Sequence, residues 1–271
     1  MGRLASVFER TRSEGRAALI TYLCAGDPDL EQTIDRVVAA GDAGADIVEL
    51  GIPFSDPTAD GIAIQQASER ALASGTTVKK ILDAVVEIRK RTSIPIMLFG
   101  YYNPILAFGE ERLAREAASA GVDGVLVVDL PPEEAELLRG FLVDQHLDLV
   151  PLVAPTSTDA RIDAATKIAT SFLYCVSVTG VTGSQNADLS QAAERASMLQ
   201  KRTGKPVAVG FGVKDAADAR ALSERGIDGV VVGSAIVRAG HEARSSKDGV
   251  KAIAKLIGSL RVGVDPTVQL S

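Results

Sequence analysis

Short apolar runs alternate with amphipathic helical segments along almost the whole chain, and this alternation restricts the possible folds more than any other feature. The runs are rich in Val, Ile and Leu without polar alternation, as expected of parallel strands buried on both faces. The predicted strands are 18–23, 46–50, 94–99, 124–128, 147–153, 172–176, 206–209 and 229–232. The predicted helices include 30–43, 77–91, 110–120, 132–144, 188–202 and 214–225. Eight strands with intervening helices in 271 residues predict an α/β fold, a (β/α)8 TIM barrel.

A short repeat at the start of three predicted strands supports one continuous barrel. The tetrapeptides AGAD (43–46), AGVD (120–123) and RGID (225–228) each end a helix and begin a strand, and their glycine fits the left-handed position after a helix. No linker interrupts the chain, so we predict one domain, 1–271, with an extra N-terminal helix in 1–12 and a loose tail in 262–271. The alternative is an open doubly wound sheet. It needs a G-x-G-x-x-G turn after an early strand, whereas the first strand here is followed by AGDP (25–28).

Charge and composition argue against several classes of function. The net charge of −6 and the lack of a Lys/Arg-rich run disfavour nucleic-acid binding. The apolar runs are far shorter than the roughly 20 residues of a spanning helix, and no signal peptide is recognisable, so we expect a cytoplasmic protein. Cys24 and Cys175 lie in apolar runs and are expected to be buried free thiols. Two isolated histidines, His146 and His241, do not make a three-ligand zinc site, so no metal is expected.

Two carboxylates flank a loop rich in glycine and proline after the second predicted strand. Glu49 closes an apolar run, and Asp60 follows eleven residues later. An ionised carboxylate avoids apolar surroundings because its desolvation is costly without a partner. Glu49 is therefore a candidate for the raised pKa that a group exchanging protons near neutral pH requires. The alternative is a strand-end Glu that pairs with a nearby Lys or Arg.

Two glycine-rich turns follow the seventh and eighth predicted strands, where barrels of this type place active-site loops. They are GFGV (210–213) and VGSAI (232–236). Backbone N–H groups in such turns, together with a helix N-terminus, hold phosphate groups, and Ser234 adds a hydroxyl. Each turn alone is also compatible with a tight strand–helix connection, and it is their pairing at this location that favours a phosphate site. The small residues of GVTGS (180–184) are typical of a lid over a substrate, with a plain surface loop as the alternative.

The remaining side chains favour one class of reaction. Lys205 precedes a strand on the opposite side of the barrel and Lys214 lies at a helix start, so neither is placed to form a Schiff base. The residues therefore favour acid–base chemistry by Glu49 and Asp60 on a phosphorylated substrate. Tyr and Phe residues near the strand ends indicate a flat aromatic portion of that substrate. Tyr174 is compatible with core packing and with a substrate-orienting phenol.

Six segments that together span nearly the whole chain resemble the tryptophan synthase alpha chain family. They are TYLCAGDP (21–28), ELGIPFSDPTADG (49–61), GYYNP (100–104), VTGVTG (178–183), GFGV (210–213) and GSAIV (233–237). Thr58 and Ile62 stand where the family often has Leu and Pro, and Ser184-Gln185 varies the lid. Both acids are in place.

The resemblance implies a carbon–carbon lyase that cleaves indole-3-glycerol phosphate to indole and D-glyceraldehyde 3-phosphate, the alpha half-reaction of L-tryptophan biosynthesis. It implies that Glu49 is the general acid–base, that Asp60 accepts the indole N–H, that Tyr174 supports Glu49, and that Thr182 contacts Asp60 in the closed lid. The implied indole pocket consists of Tyr22, Ile64, Phe99, Tyr101 and Phe211. The implied phosphate site consists of Gly183, Gly212, Gly233 and Ser234.

The resemblance also implies a partner, the tryptophan synthase beta chain, in an αββα heterotetramer with a tunnel that carries indole between the chains. Pyridoxal phosphate is then expected only in the beta chain, and no cofactor is expected here. The implied partner-facing residues are Pro53, Phe54, Asp56, Asn103 and Pro104. Tyr102 belongs to the same partner-facing loop, and Asp129 would relay closure.

Two other functions remain open on the sequence. A partner-dependent binding subunit with little turnover of its own would also suit an exposed tip at residues 52–54. A different phosphate-binding barrel, such as an isomerase of phosphoribosyl compounds, would share the glycine turns. The aromatic residues argue against the second of these, because a sugar phosphate has no flat aromatic group.

Overall fold

The computed structural model describes residues 2–176, 189–210 and 212–265, and within them the predicted alternation of strands and helices is confirmed. The strands are β1 Ala18–Cys24, β2 Ile47–Gly51, β3 Ile96–Gly100, β4 Gly124–Val127, β5 Asp148–Leu149, β6 Leu152–Val153, β7 Leu173–Val176, β8 Val207–Gly210 and β9 Gly229–Val232. The helices are α1 Arg3–Ser13, α2 Leu30–Asp42, α3 Ile62–Ala73, α4 Val78–Arg89, α5 Tyr102–Phe108, α6 Glu110–Ala120, α7 Glu136–Asp144, α8 Asp159–Ile168, α9 Leu189–Thr203, α10 Ala216–Ser223, α11 Ser234–His241 and α12 Ser246–Val264. A 3-10 turn at Pro132–Glu134 precedes α7.

The strands of the described residues form one parallel sheet in the order β5-β4-β3-β2-β1-β9-β8-β7-β6. The single strand predicted at 147–153 is divided into β5 and β6, because Pro151 between them has no N–H to donate to a neighbouring strand. β5 pairs with β4 and β6 pairs with β7, so this segment joins the two ends of the sheet. The sheet is thereby closed, and the predicted (β/α)8 barrel is confirmed.

Side chains along each strand alternate between the barrel interior and the surrounding helices. On β2, Ile47 packs with Met97 in the interior, whereas Val48 and Leu50 pack in the larger apolar layer between strands and helices. Glu49 follows Ile47 by two residues. It therefore points into the interior, one layer nearer the C-terminal ends of the strands.

The predicted repeat has a common structure at the N-terminal ends of the strands. Its glycines have φ values of +103°, +95° and +75°, which confirms the left-handed conformation expected of Gly44, Gly121 and Gly226. The aspartate that follows in each copy accepts a hydrogen bond from a backbone N–H of the neighbouring strand. These pairs are Asp46 with Leu19, Asp123 with Ile96 and Asp228 with Val207. The repeat therefore holds neighbouring strands in register.

Helix α1 covers this same end of the barrel, and the predicted extra N-terminal helix is confirmed. Leu4, Val7 and Phe8 are buried in the interior cluster, and the Phe8 ring centroid lies 4.7 Å from that of Phe172. The arginines of α1 pair with the three repeat aspartates, as Arg3–Asp123, Arg10–Asp46 and Arg12–Asp228. The opposite, C-terminal end is where barrels of this type place their functional loops.

The tail predicted at 262–271 begins too early, because α12 continues to Val264, which is fully buried. Cys24 and Cys175 are buried free thiols, as predicted. None of the helices in the described part of the chain has the length and apolar character needed to cross a lipid bilayer.

Candidate active site

Strand β2 carries Glu49 into the C-terminal half of the barrel interior. Glu49 is 1% exposed, and its Oε1 atom has no hydrogen-bond partner in the described part of the chain. Burial in these surroundings raises the pKa of Glu49 from 4.5 to about 8. The carboxyl group is therefore mostly protonated at neutral pH. Among the described residues, no Lys or Arg forms an ion pair with Glu49, so the alternative of a paired strand-end acid is not supported.

The loop between β2 and α3 brings Asp60 to the same region. Its backbone N–H donates to the Pro57 carbonyl oxygen at 3.1 Å, and its own carbonyl oxygen accepts from Gln65 Nε2 at 2.8 Å. Burial raises the pKa of Asp60 from 3.8 to about 6, while hydrogen bonding by the Tyr101 hydroxyl lowers it. At neutral pH, Asp60 is therefore mostly ionised while Glu49 is mostly protonated.

Both acids line one cavity of about 240 Å³ at the C-terminal end of the barrel. The side chains of Tyr22, Ile64, Phe99 and Tyr174 form one apolar part of its wall. The rings of Tyr22 and Phe99 meet edge to face at a centroid distance of 5.5 Å, and those of Phe99 and Tyr174 are 6.3 Å apart. A mostly apolar, concave wall with a few polar groups is typical of a site for a small organic ligand.

Two glycines allow the tyrosine side chains of this wall to lie close to the strands. A Cβ atom on Gly51 would lie 2.1 Å from the Tyr22 hydroxyl oxygen. A Cβ atom on Gly210 would lie 2.2 Å from the Tyr174 hydroxyl oxygen. Both distances are far below a van der Waals contact, so the positions of these two tyrosines require glycine on the neighbouring strand.

The two glycine-rich turns contribute another part of the lining through Gly212, Gly233 and Ser234. Gly212 has a φ of +84°, a conformation that favours glycine. Gly233 precedes the first residue of α11, Ser234, and the N–H groups in the first turn of a helix have no acceptor within it. Such a helix start attracts anions. A Cβ atom on Gly61 would lie 3.9 Å from Ser234 Oγ, so the turn adjoins the loop that carries Asp60.

Comparisons with known proteins agree with this geometry. A family model described as tryptophan synthase alpha chain matches residues 8–264. The chain is 47% identical over 267 residues to the tryptophan synthase alpha chain of Dechloromonas aromatica, with 98% of each chain covered. The chain belongs to the tryptophan synthase alpha chain family. It is therefore a lyase that cleaves indole-3-glycerol phosphate to indole and glyceraldehyde 3-phosphate, the alpha half-reaction of tryptophan biosynthesis.

Solved structures of tryptophan synthase have the same fold. The structure of Mycobacterium tuberculosis tryptophan synthase in space group F222 superposes with a TM-score of 0.89 at 37% identity, covering 98% of this chain and 99% of that one. Tryptophan synthase subunit alpha from Legionella pneumophila superposes with a TM-score of 0.88 at 34% identity, covering 98% and 99%. Both similarities extend over the whole barrel.

Tyr101, which the family resemblance assigns to the indole pocket, contacts the loop that carries Asp60. It is 3% exposed. Its hydroxyl oxygen accepts a hydrogen bond from the Ala59 N–H at 3.0 Å, beside Asp60. Tyr101 therefore helps to hold the loop that carries Asp60 and lowers the pKa of the Asp60 carboxyl group.

The segments assigned to the partner chain differ in exposure. The expectation of an exposed tip at residues 52–54 is wrong, because Ile52 is 5% exposed and Pro53 is buried. Phe54 is half-buried and packs its ring 5.2 Å from that of Tyr101. Asp56 and Asn103 are exposed and Pro104 is half-buried. The assignment of these residues to a partner interface stays a prediction.

Several predicted residues lie outside the part of the chain that the structure describes. These are Thr182 and Gly183, with the rest of the predicted lid 180–184, and Phe211. Within the described ranges, no three or more His, Cys, Asp or Glu side chains are grouped in a way that could hold a metal ion.

The cavity also contains residues that the sequence analysis did not assign to it. Lys214 and Arg238 are charged, and the others are Val213, Val231 and Ala235. Lys214 lies two residues after Gly212, and Arg238 lies one helical turn after Ser234. The helical spacing of four residues could have indicated Arg238, since residues one turn apart share a face.

Proposed function

We propose that Glu49 and Asp60 together catalyse the cleavage of indole-3-glycerol phosphate in this chain. The observation that carries the proposal is that both carboxyl groups line one cavity, with pKa values of about 8 and about 6. Two such acids have opposite protonation states at neutral pH. The reaction requires this combination, because it uses one proton donor and one anionic hydrogen-bond acceptor.

Glu49 is the group that transfers protons. Its protonated carboxyl group gives a proton to the indole C3 atom, which carries the glycerol phosphate side chain. The resulting carboxylate then takes the proton of the adjacent side-chain hydroxyl while the C–C bond breaks and its electron pair returns to the indole ring. The hydroxyl carbon becomes the aldehyde of glyceraldehyde 3-phosphate, and Glu49 is protonated again. Its Oε1 atom, which has no partner among the described residues, supports this role, because a bound substrate can supply the missing hydrogen bond.

Asp60 stabilises the charged intermediate. Protonation at C3 places positive charge on the indole nitrogen, and an ionised carboxylate that accepts the ring N–H lowers the energy of that state. The hydrogen bonds of the Asp60 backbone to Pro57 and Gln65 support a fixed position for this carboxylate. The contact of Thr182 with Asp60 is part of the proposal on the family resemblance alone.

The substrate is held along the rest of the cavity. Tyr174 packs near Glu49 and restricts its position. Burial, together with the nearby carboxyl groups of Glu49 and Asp60, raises the pKa of Tyr174 well above 10, so its side chain stays a neutral phenol. The indole ring lies against Tyr22, Ile64, Phe99, Tyr101 and Phe211. The phosphate group binds at Gly183, Gly212, Gly233 and Ser234. The glycine turns and the helix start at Ser234 support the last assignment.

The partner in the proposal is a tryptophan synthase beta chain, in an αββα complex whose pyridoxal phosphate belongs to the beta chain. Pro53, Phe54, Asp56, Asn103 and Pro104 contact that partner. Two contacts support a connection from this face to the acids: Phe54 packs on Tyr101, and the Asp129 carboxylate accepts the Tyr102 N–H at 2.7 Å. We also propose that residues 1–271 form one domain and that the protein acts in the cytoplasm.

Indole release from indole-3-glycerol phosphate tests the proposal, with and without an added beta chain. Glu49→Gln and Asp60→Asn should each lose roughly 10²–10⁴-fold in kcat, the usual contribution of a general acid–base group, while substrate still binds. Glu111→Gln, which removes an exposed carboxylate on α6, is the matched control. Normal turnover in either active-site variant would remove that acid from the mechanism. A binding subunit without its own turnover would instead release no indole even with the beta chain present.

A further inference from the structure

The part of the cavity formed by the glycine turns contains two cations, Lys214 and Arg238. Lys214 follows the turn after β8, and Arg238 lies on α11 one turn after Ser234. Both residues are exposed at the cavity. Both cations therefore lie beside the proposed phosphate site.

The phosphate site proposed above has no formal positive charge of its own. Gly212 and Gly233 contribute backbone groups and Ser234 contributes a hydroxyl, whereas a phosphate monoester carries a charge of about −2 near neutral pH. The whole chain has a net charge of −6, so its long-range field repels such a ligand. A cation at the cavity would offset both effects.

Neither cation accounts for the pKa shifts of the catalytic acids among the described residues. Burial raises the pKa of Glu49, with no other cause among the described residues. The pKa of Asp60 reflects burial and the Tyr101 hydroxyl. A cation close to either carboxylate would lower its pKa, which agrees with the position of Lys214 and Arg238 next to the glycine turns in the chain.

Arg238 is the cation that is available to a ligand. In the described ranges, its guanidinium group has no ion pair and no hydrogen bond to another residue. A planar guanidinium group matches the geometry of phosphate oxygens and can donate two parallel hydrogen bonds to them. A basic residue near the end of a helix also interacts favourably with the helix dipole, and the test must separate this structural role from binding.

We propose that Arg238 binds the phosphate group of indole-3-glycerol phosphate and selects for a doubly charged substrate. The proposal rests on the phosphate site described under the proposed function, at Gly212, Gly233 and Ser234. Arg238 adds the charge that these residues lack. It acts on substrate binding and does not take part in the proton transfers.

The test uses the full chain with the beta chain present and compares four variants with the parent protein: Arg238→Gln, Arg238→Lys, Ser234→Ala and Arg244→Gln. Arg238→Gln should raise KM for indole-3-glycerol phosphate about 10-fold, as loss of a charge-assisted hydrogen bond does, with kcat nearly unchanged. The inhibition constant of inorganic phosphate should rise in parallel. Arg238→Lys, which keeps the positive charge but not the planar pair of donors, should recover only part of both losses. Arg244→Gln makes the same charge change at an exposed position outside the cavity and should leave both constants unchanged.

The inhibition constants of the Arg238→Gln and Ser234→Ala variants distinguish a role of Arg238 from the existence of the phosphate site. If Ser234→Ala weakens phosphate inhibition and Arg238→Gln does not, the phosphate site stands and the role of Arg238 is refuted. If neither variant affects phosphate inhibition, the proposed phosphate site fails as well. If Arg238→Gln changes only the thermal unfolding midpoint and not KM, its role is confined to α11 and the inference is overturned.

Discussion

Replacing Glu49 with Gln should stabilise the barrel at alkaline pH while it removes most of the activity. Glu49 is almost completely buried, and Oε1 has no partner among the described residues. The folded protein therefore resists ionisation of this side chain, which an unfolded chain permits freely. Gln has nearly the same shape as Glu and cannot ionise. The substitution therefore removes the pH-dependent free-energy cost of keeping this carboxyl group buried in the folded protein.

The magnitude follows from the pKa of Glu49, which is 4.5 for an ordinary glutamate and about 8 in the folded protein. Between these values the unfolded state binds fewer protons than the folded state, so the free energy of unfolding falls as pH rises. At about 1.36 kcal/mol per pKa unit, the full loss is roughly 5 kcal/mol, reached above the folded pKa. Of this, roughly 3–4 kcal/mol is lost between about pH 5 and pH 8. An unsatisfied amide in the Gln variant costs about 1–3 kcal/mol, but equally at both pH values.

Urea unfolding of the parent protein and of Glu49→Gln at pH 5 and pH 8 measures this effect. The stability of the variant relative to the parent should increase by roughly 3–4 kcal/mol from the lower to the higher pH. Other titrating groups are common to both proteins and cancel in the comparison. Glu111→Gln controls for the loss of an exposed carboxylate. If the difference between Glu49→Gln and the parent is the same at both pH values, Glu49 does not have a raised pKa and the acid–base argument fails.

The pH profile of cleavage and two substitutions offer further tests. kcat/KM should rise through about pH 6 as Asp60 ionises and fall through about pH 8 as Glu49 loses its proton; a profile flat across this range would contradict the assigned protonation states. Tyr101→Phe should shift the acid limb to higher pH, because the hydroxyl lowers the pKa of Asp60, and an unshifted limb would exclude that contact. Gly51→Ala should lower stability by roughly 1–3 kcal/mol in thermal unfolding and raise KM, because its Cβ would lie 2.1 Å from a tyrosine hydroxyl. Gly258→Ala, where a Cβ meets nothing within 4 Å, is its control, and equal behaviour of the two would refute the packing argument.

Much of the fold could be predicted because strands buried on both faces have a distinctive composition. The alternation of apolar runs and helical segments indicated the barrel, and the repeated glycines indicated where helices turn back into strands. The division of the fifth strand at Pro151 needed the structure, because the effect of a missing N–H depends on which neighbours the strand has. The pairing of α1 arginines with the repeat aspartates is likewise a contact between distant parts of the chain.

The sequence by itself determined the location of the candidate site. Parallel strands bring their C-terminal ends together, so the acids after β2 and the glycine turns after β8 and β9 could be assigned to one end of the barrel from their order alone. The sequence also carried the family resemblance, since the six motifs are local and occur in order.

Only the tertiary structure decided the chemistry of the individual side chains. The pKa of Glu49 depends on how completely it is removed from water, and that is set by side chains from β1, β3 and β7 that are far apart in the chain. The presence of Arg238 beside the glycine turns likewise depends on how α11 packs over the barrel. Desolvation and electrostatic interactions act through space, so local sequence order indicates which residues can react but not the environment that makes them reactive.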